Sequence, residues 1–137
     1  MSVKYETKLP EIFIGDKDFE QLNNIAEAAT NAASDVADQL MDELERAVIV
    51  PQTKLSDEVV QMGSYVSFIT SDGFDRSFQL VLPRDADVSN GKISILTPIG
   101  AALIGLSGGQ TIPWKTSDGR ILDLTVRTVS QVPPPWC

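Results

Sequence analysis

The 137-residue sequence contains no histidine and only one cysteine, Cys137. Without imidazole the chain lacks the commonest general base and the commonest metal ligand, which excludes Ser-His-Asp and Cys-His mechanisms and argues against a zinc site. A single cysteine forms no internal disulfide, so we interpret Cys137 as an exposed terminal thiol, consistent with a reducing cytoplasm. Composition thus excludes these enzyme classes; we also expect no metal, no cofactor and no enzymatic activity, as the resemblance described below implies.

Long hydrophobic runs are also absent. No apolar stretch approaches the roughly 20 residues that span a bilayer. The first fifteen residues, MSVKYETKLPEIFIG, have no apolar core after a basic start, so we expect no signal peptide, no membrane partner and a cytoplasmic location. The sequence has no P-loop pattern and no histidine to carry a phosphate, which argues against a kinase.

Basic residues are scarce, with 11 Lys and Arg against 19 Asp and Glu and a net charge of −8. The imbalance is local: residues 16–48 carry nine acidic and two basic side chains, and residues 49–137 carry eight acidic and seven basic. An acidic segment repels phosphates, so no direct, specific DNA binding is expected. It favours a basic protein surface as partner; the alternative is a solvated helical face that aids solubility.

Helical periodicity within this acidic segment predicts two helices. The first is expected to begin near Asp16 as N-cap, with Phe19, Leu22, Ala26 and Ala29 forming one apolar stripe. A turn is predicted at residues 30–34. The stripe of the second helix consists of Ala33, Val36, Leu40, Leu44 and Ala47, flanked by Ala37, Met41 and Val48. Two amphipathic helices joined by a short turn predict an antiparallel hairpin about 20 Å long.

Residues 50–54 are interpreted as a linker, with Pro51 ending the second helix. Period-2 alternation then predicts strands over residues 64–70 and 76–82, separated by a turn at Ser71-Asp72-Gly73. A last strand is predicted over residues 120–129.

The stretch KISILTPIGAALIGLSGGQTIPW, residues 92–114, organises the second half of the chain. It predicts a strand, a short helix capped by Thr97 with Pro98 at its first position, a glycine turn and another strand. The whole half is expected to be an α+β domain, a mainly antiparallel sheet of four or five strands with one short helix.

ISILTPIGAALIGLSGGQTIPW resembles the signature of the C-terminal domain of the Gre transcript-cleavage factors. The segments LERA at 44–47 and VVQMGS at 59–64, together with the length of the chain, resemble the shorter regulator of nucleoside diphosphate kinase (Rnk) family. The resemblance covers about residues 40–129. It implies an N-terminal helical hairpin, a short coiled coil, over residues 1–50 and an FKBP-like Gre-type domain over residues 51–137.

The resemblance also implies a partner, bacterial RNA polymerase. In this group of families the C-terminal domain docks at the rim of the secondary channel and the coiled coil points inward. Gre factors carry an Asp-x-x-Glu pair at the coiled-coil tip that helps to hold a catalytic metal ion. Here the nearest pair is Asp35 and Asp38 on a shorter hairpin, so we expect polymerase binding and competition with Gre factors without cleavage. The alternative is a cleavage-stimulating factor that uses Asp35 and Asp38.

The predicted docking residues are an acidic face on the second helix and exposed polar residues around the helix-and-turn stretch. They are Asp35, Asp38, Asp42, Glu45, Ser107 and Gln110. A third hypothesis, a peptidyl-prolyl isomerase, rests only on the FKBP-like fold and needs an aromatic-lined pocket. The candidate aromatic residues lie in strand patterns typical of a core; they are Tyr65, Phe68, Phe74, Phe78 and Trp114. No small-molecule substrate is expected.

Overall fold

A computed structural model describes residues 9–30, 35–115 and 119–135. The first two helices are α1, Asp16–Thr30, and α2, Asp35–Arg46, which pack against each other. Both helices agree with the predicted segments. The turn predicted at residues 30–34 lies almost wholly outside the described residues. Asp16 is the first residue of α1 and not the residue before it.

Two short parallel strands close the base of the hairpin. Strand β1, Phe13–Gly15, pairs with β2, Val48–Val50, in the register Phe13 to Val48. The placement of Val48 in the second helix was wrong, because α2 ends at Arg46 and the chain turns directly into β2. The hairpin thus begins and ends at adjacent points of the fold.

The second half of the chain forms a five-stranded sheet in the order β5-β4-β3-β7-β6. All neighbours are antiparallel except β4 and β5, which are parallel. This arrangement agrees with the predicted mainly antiparallel α+β half. The strands are β3, Tyr65–Thr70; β4, Asp75–Val81; β5, Lys92–Ser94; β6, Thr111–Lys115; and β7, Ile121–Ser130.

Helix α3, Pro98–Leu103, connects β5 to β6 and begins as the sequence predicts. The Thr97 hydroxyl accepts a hydrogen bond from the Gly100 N–H at 3.0 Å, and Pro98 occupies the first turn. After the helix, Gly105 has a φ of +82°, which lets the chain turn tightly beside Ile12.

One hydrophobic core joins both halves of the molecule. The hairpin contributes buried side chains to the same cluster as α3 and the inner face of the sheet. Its largest fully buried members include Ile12, Ile14, Leu22, Leu40, Phe68, Leu103 and Leu124. The base of the hairpin is therefore fixed to the sheet domain by shared apolar burial. Within the three described ranges, no helix has the length and apolarity needed to cross a membrane.

Candidate functional site

The exposed face of α2 carries a row of carboxylates. Asp35, Asp38, Asp42 and Glu45 follow one another at spacings of three, four and three residues, and all four are exposed. This spacing places them on one side of the helix. Within the part of the chain that the structure describes, no hydrogen bond or ion pair is made by their side chains. The structure therefore brings the four predicted acidic residues together as one negative surface, which we call the acidic face.

The opposite side of α2 explains why this face points outward. Ala37, Leu40 and Leu44 are buried against α1 and the core. Rotating the helix would bury charge and expose these apolar side chains, which is unfavourable in both respects. Amphipathicity alone thus orients the acidic face, and Asp35 and Asp38 lie at the end of α2 farthest from β2.

Glu43 is a carboxylate on α2 that the sequence analysis did not single out, and it is buried. An Arg46 Nη2 atom lies 2.7 Å from its Oε1, and Arg46 Nη1 donates to the carbonyl of Pro10. Burial raises the pKa of Glu43, while the charge and hydrogen bond of Arg46 oppose that rise and the nearby charge of Asp42 adds to it. This group holds the N-terminal segment against the end of α2.

Ser107 and Gln110 were expected to be exposed docking residues, but both are half-buried. The Gln110 Oε1 accepts a hydrogen bond from the Ser107 N–H at 2.9 Å, and its Nε2 donates to the Glu11 carbonyl at 3.3 Å. The Gln110 amide is thus engaged in joining the turn after α3 to the N-terminal segment. The structure does not bring these two residues to the acidic face.

The surface of the described residues includes two cavities of note. One of about 370 Å³ is mainly apolar and lies between β2 and the turn after α3, where Phe13, Val50, Leu55 and Ser107 line it. The other, of about 490 Å³, lies over the outer face of the sheet beside Tyr65 and is lined mainly by hydroxyl, amide and backbone groups. The first cavity also has Lys54, Ser56 and Glu58 in its lining, and no hydrogen bond or ion pair joins the side chains of these three residues to one another.

The aromatic residues considered for a proline pocket are mostly used for packing. Phe68 is fully buried, and the rings of Phe74 and Phe78 lie 6.1 and 6.2 Å from it between centroids. Trp114 packs against the same core. Neither of the two cavities has more than one aromatic side chain in its lining, so the observed arrangement gives no support to an isomerase pocket.

No group of three or more acidic or cysteine side chains converges as a metal site within the described ranges. Within those ranges, Asp35 and Asp38 supply two carboxylates at the start of α2. A divalent cation commonly takes six or more oxygen ligands, so these two residues do not by themselves form a metal site.

Residues 55–131 match the family model described as "Transcription elongation factor, GreA/GreB, C-term", and residues 10–50 match the model described as "Rnk N-terminus". The sheet, α3 and the turn that follows it therefore define a Gre-type C-terminal domain. The chain is 36% identical over 125 residues to the "Regulator of nucleoside diphosphate kinase" of Escherichia coli strain K12, covering 90% of this chain and 92% of that protein. The protein belongs to the regulator of nucleoside diphosphate kinase family.

Gre factors are similar over a smaller part of their length. "Transcription elongation factor GreA" of Thermodesulfovibrio yellowstonii is 37% identical over 92 residues, which make up 64% of this chain and 58% of that protein. A solved structure, "Prokaryotic transcription elongation factor GreA/GreB from Nitrosomonas europaea", superposes with a TM-score of 0.69 and 35% identity, covering 88% of this chain and 98% of that one. The chain is thus a regulator related to transcription elongation factors.

Proposed function

We propose that this protein is a non-enzymatic transcription regulator that binds bacterial RNA polymerase at the secondary channel and competes there with Gre factors. The observation that carries the proposal is the combination of a Gre-type C-terminal domain with an adjoining acidic face whose carboxylates have no partner among the described residues. In this proposal residues 51–137 are the docking domain, FKBP-like in fold. Residues 1–50 are a short coiled coil that enters the channel of the cytoplasmic enzyme.

Electrostatics supports a basic partner surface. The acidic face concentrates four negative charges along about three turns of α2, and like charges at these spacings cost the isolated helix a few tenths of a kcal/mol per pair. A basic surface removes that repulsion and accelerates encounter. Binding should therefore weaken as salt rises, because the Debye length shortens to about 8 Å near physiological ionic strength.

The dimensions of the hairpin support binding without cleavage. Helix α2 has 12 residues, which corresponds to about 18 Å at 1.5 Å per residue. Part of this length lies against α3, where the Gln39 side chain donates to the Pro98 carbonyl. A carboxylate assists a metal ion only by approaching to within about 2.0–2.6 Å of it. The pair Asp35 and Asp38 on this short hairpin is proposed to occupy the channel without reaching the catalytic ion.

The test uses stalled, backtracked polymerase in two assays. In the first, cleavage of the transcript is followed after addition of this protein alone; we expect no acceleration. In the second, a Gre factor is present and this protein is titrated in; we expect competitive inhibition of cleavage. Cleavage by this protein alone, abolished in the double variant Asp35→Asn and Asp38→Asn, would instead establish the alternative, a cleavage-stimulating elongation factor.

The acidic face is tested by a charge-matched pair of variants. One variant neutralises its four carboxylates, and the control neutralises four exposed carboxylates elsewhere, so both change the net charge equally. The first carries D35N, D38N, D42N and E45Q, and the control carries E20Q, D57N, D85N and D123N. We expect only the first to lose most of its competition and its salt dependence. Equal losses of competition in the two variants would mean that the effect depends only on net charge, which would contradict a specific role for the acidic face.

Ser107 and Gln110 stay predicted docking residues in the sheet domain. Because the Gln110 amide holds two backbone groups, Gln110→Ala would change the structure as well as any contact. Ser107→Ala is the cleaner test, since the bond that Ser107 makes to Gln110 uses its backbone N–H. Loss of competition by Ser107→Ala, with unchanged unfolding, is the result expected of a docking residue.

A further inference from the structure

The start of α1 is joined to two later segments of the chain by a short series of hydrogen bonds. The Asp16 Oδ1 accepts the Gln52 backbone N–H at 3.0 Å, and the Gln52 Oε1 accepts the Asp18 backbone N–H at 2.9 Å. The Asp18 Oδ2 then accepts the Met62 backbone N–H at 3.2 Å. We call these four residues, Asp16, Asp18, Gln52 and Met62, the hairpin clamp.

The hairpin clamp replaces a local helix cap with a long-range one. The first N–H groups of a helix have no partner within the helix, and a side chain close in sequence usually satisfies one of them. Here Gln52, 34 positions after Asp18, supplies that acceptor. Gln52 thus donates its backbone N–H to Asp16 and accepts with its side chain from Asp18, so the exchange with the first turn of α1 resembles a capping box but joins the helix to the segment that follows β2.

The backbone at Gly15 is shaped to admit the Gln52 side chain. A Cβ atom at position 15 would lie 2.1 Å from the Gln52 Oε1, far inside van der Waals contact. Any residue other than glycine would therefore displace the amide from the start of α1. The obstruction is the end of a flexible side chain, so such a substitution would eject Gln52 without forcing the backbone apart.

The hairpin clamp continues into the five-stranded sheet. Next to Met62, the Gly63 N–H donates to the Leu80 carbonyl at 2.7 Å, and the Gln79 Nε2 donates to the Gly63 carbonyl at 3.2 Å. Leu80 and Gln79 belong to β4. The hydrogen bonds of Asp18 to Met62 and of Gly63 to β4, joined by the Met62–Gly63 peptide bond, thus connect the first turn of α1 to the sheet.

We propose that Gln52 is a positioning residue that sets the direction of the acidic hairpin relative to the sheet domain, and thereby the affinity for the polymerase channel. The inference rests on the proposed function for its second half. The shared apolar core and the bond of Gln39 to Pro98 hold α2 against α3, while the hairpin clamp holds the start of α1. Hydrogen bonds at about 3 Å require aligned donors and acceptors, so the hairpin clamp restricts the direction of α1 more tightly than non-directional apolar burial does.

The direction of the hairpin is measured by the distance between two nitroxide labels, using double electron–electron resonance. The labels are attached at Glu20→Cys on α1 and Thr128→Cys on β7, both exposed positions, in a Cys137→Ser background. We expect a narrow distance distribution in the parent protein and a broader or shifted one in Gln52→Ala. Gly15→Ala should do the same with Gln52 intact. Thr53→Ala, an exposed neighbour, serves as the control and should leave the distribution unchanged.

The same variants are then used in the Gre competition assay at a temperature where circular dichroism shows them folded. If the hairpin points correctly in about a third of the molecules, the apparent affinity falls about threefold, because the dissociation constant scales inversely with the competent fraction. We expect a loss of this order for Gln52→Ala and Gly15→Ala and none for Thr53→Ala.

The two readouts separate the possible failures. An unchanged distance distribution in Gln52→Ala overturns the positioning role, even if the variant is less stable. A broadened distribution with undiminished competition overturns the link between direction and docking. If the parent protein does not compete with Gre factors, the proposed function fails, and so does the inferred link between hairpin direction and docking. A broadened distance distribution in Gln52→Ala would then still support the hairpin clamp as the determinant of direction.

Discussion

The side chain of Gln39 donates a hydrogen bond from its Nε2 to the carbonyl of Pro98 at 3.1 Å, which joins the middle of α2 to the first residue of α3. The two residues are 59 positions apart in sequence, so this hydrogen bond is a tertiary contact between two helices. On the N-terminal side of Gln39, α2 has only residues 35–38, which make about one helical turn. Helix α2 is therefore joined to α3 within about one turn of its first residue.

The first prediction concerns this contact. Gln39→Ala should lower the free energy of unfolding by about 0.5–1.5 kcal/mol, the usual net value of one intramolecular hydrogen bond. Urea denaturation followed by circular dichroism measures the change. Gln21→Ala, at an exposed position of α1, is the matched control and should change stability by no more than a few tenths of a kcal/mol. Equal losses in the two variants would contradict a stabilising role for the Gln39 contact.

The second prediction is a pH dependence set by Glu43. Its pKa is raised above 4.5 in the folded protein, so the folded chain binds this proton more tightly than the unfolded chain. Its contribution to stability is therefore complete below pH 4.5 and is lost as the pH rises through the folded-state pKa. Glu43→Gln does not titrate and keeps an acceptor for Arg46. The free energy of unfolding of E43Q relative to the parent should increase with pH over this window.

Urea unfolding of both proteins at pH values from 4 to 7 gives the comparison. Parallel stability curves would mean that the pKa of Glu43 is the same in the folded and unfolded states. A curve in which E43Q loses stability relative to the parent as the pH rises would mean that the Arg46 contact outweighs burial. Either result would contradict the prediction that E43Q gains stability relative to the parent as the pH rises.

The third prediction concerns the start of α3. The Thr97 hydroxyl accepts from the Gly100 N–H and donates to the Ser94 carbonyl at 2.8 Å. Thr97→Ala removes both bonds and should cost about 1–2 kcal/mol, at or above the usual value for an N-cap. Thr97→Ser keeps the hydroxyl and should retain most of the stability. Thermal unfolding of the two variants measures the difference, and equal midpoints would show that the cap is unimportant.

The fourth prediction concerns the close approach of Gly105 to the N-terminal segment. Gly105 has a φ of +82°, and an added Cβ would lie 2.9 Å from the Ile12 Cβ. Gly105→Ala should therefore cost about 2–4 kcal/mol, from backbone strain and displacement of a buried residue. Gly109→Ala has a similar φ of +92° but meets no atom within 4 Å, so it should cost only the strain, about 1–2 kcal/mol. If both variants lose equal stability by urea unfolding, the contact with Ile12 contributes nothing.

The features that sequence predicted well are those fixed by neighbouring residues. The stripe that includes Leu22 and Ala26 defined α1, and the alternation around Val66 and Phe68 defined β3. The Thr97-Pro98 pair located the start of α3 to the residue, because a cap and a first-turn proline act within one helical turn. The acidic face could also be predicted, because residues three and four positions apart lie on one side of a helix.

The features that were missed depend on distant partners. Strand β2 has three residues and exists because Phe13, 35 positions earlier, lies beside Val48; the sequence around it favoured continuation of the helix. Gln52 lies in a segment interpreted as a linker, and its role depends on Asp18. Glu43 left a partial signal, because Leu44 belongs to the apolar stripe and Arg46 supplies an opposite charge, but Arg46 is also bonded to the distant Pro10 carbonyl.

Because β1 pairs with β2, the length of the helical hairpin can change while its base stays the same. The chain leaves the base at Gly15 and returns to it at Val48, so entry and exit are neighbours in one ladder. Equal numbers of residues can then be added to or removed from the far ends of α1 and α2 while this ladder keeps its register. The length of the hairpin can therefore be varied. Insertions of whole helical turns in both helices would give a series of hairpins of increasing length on the same pair of strands, β1 and β2.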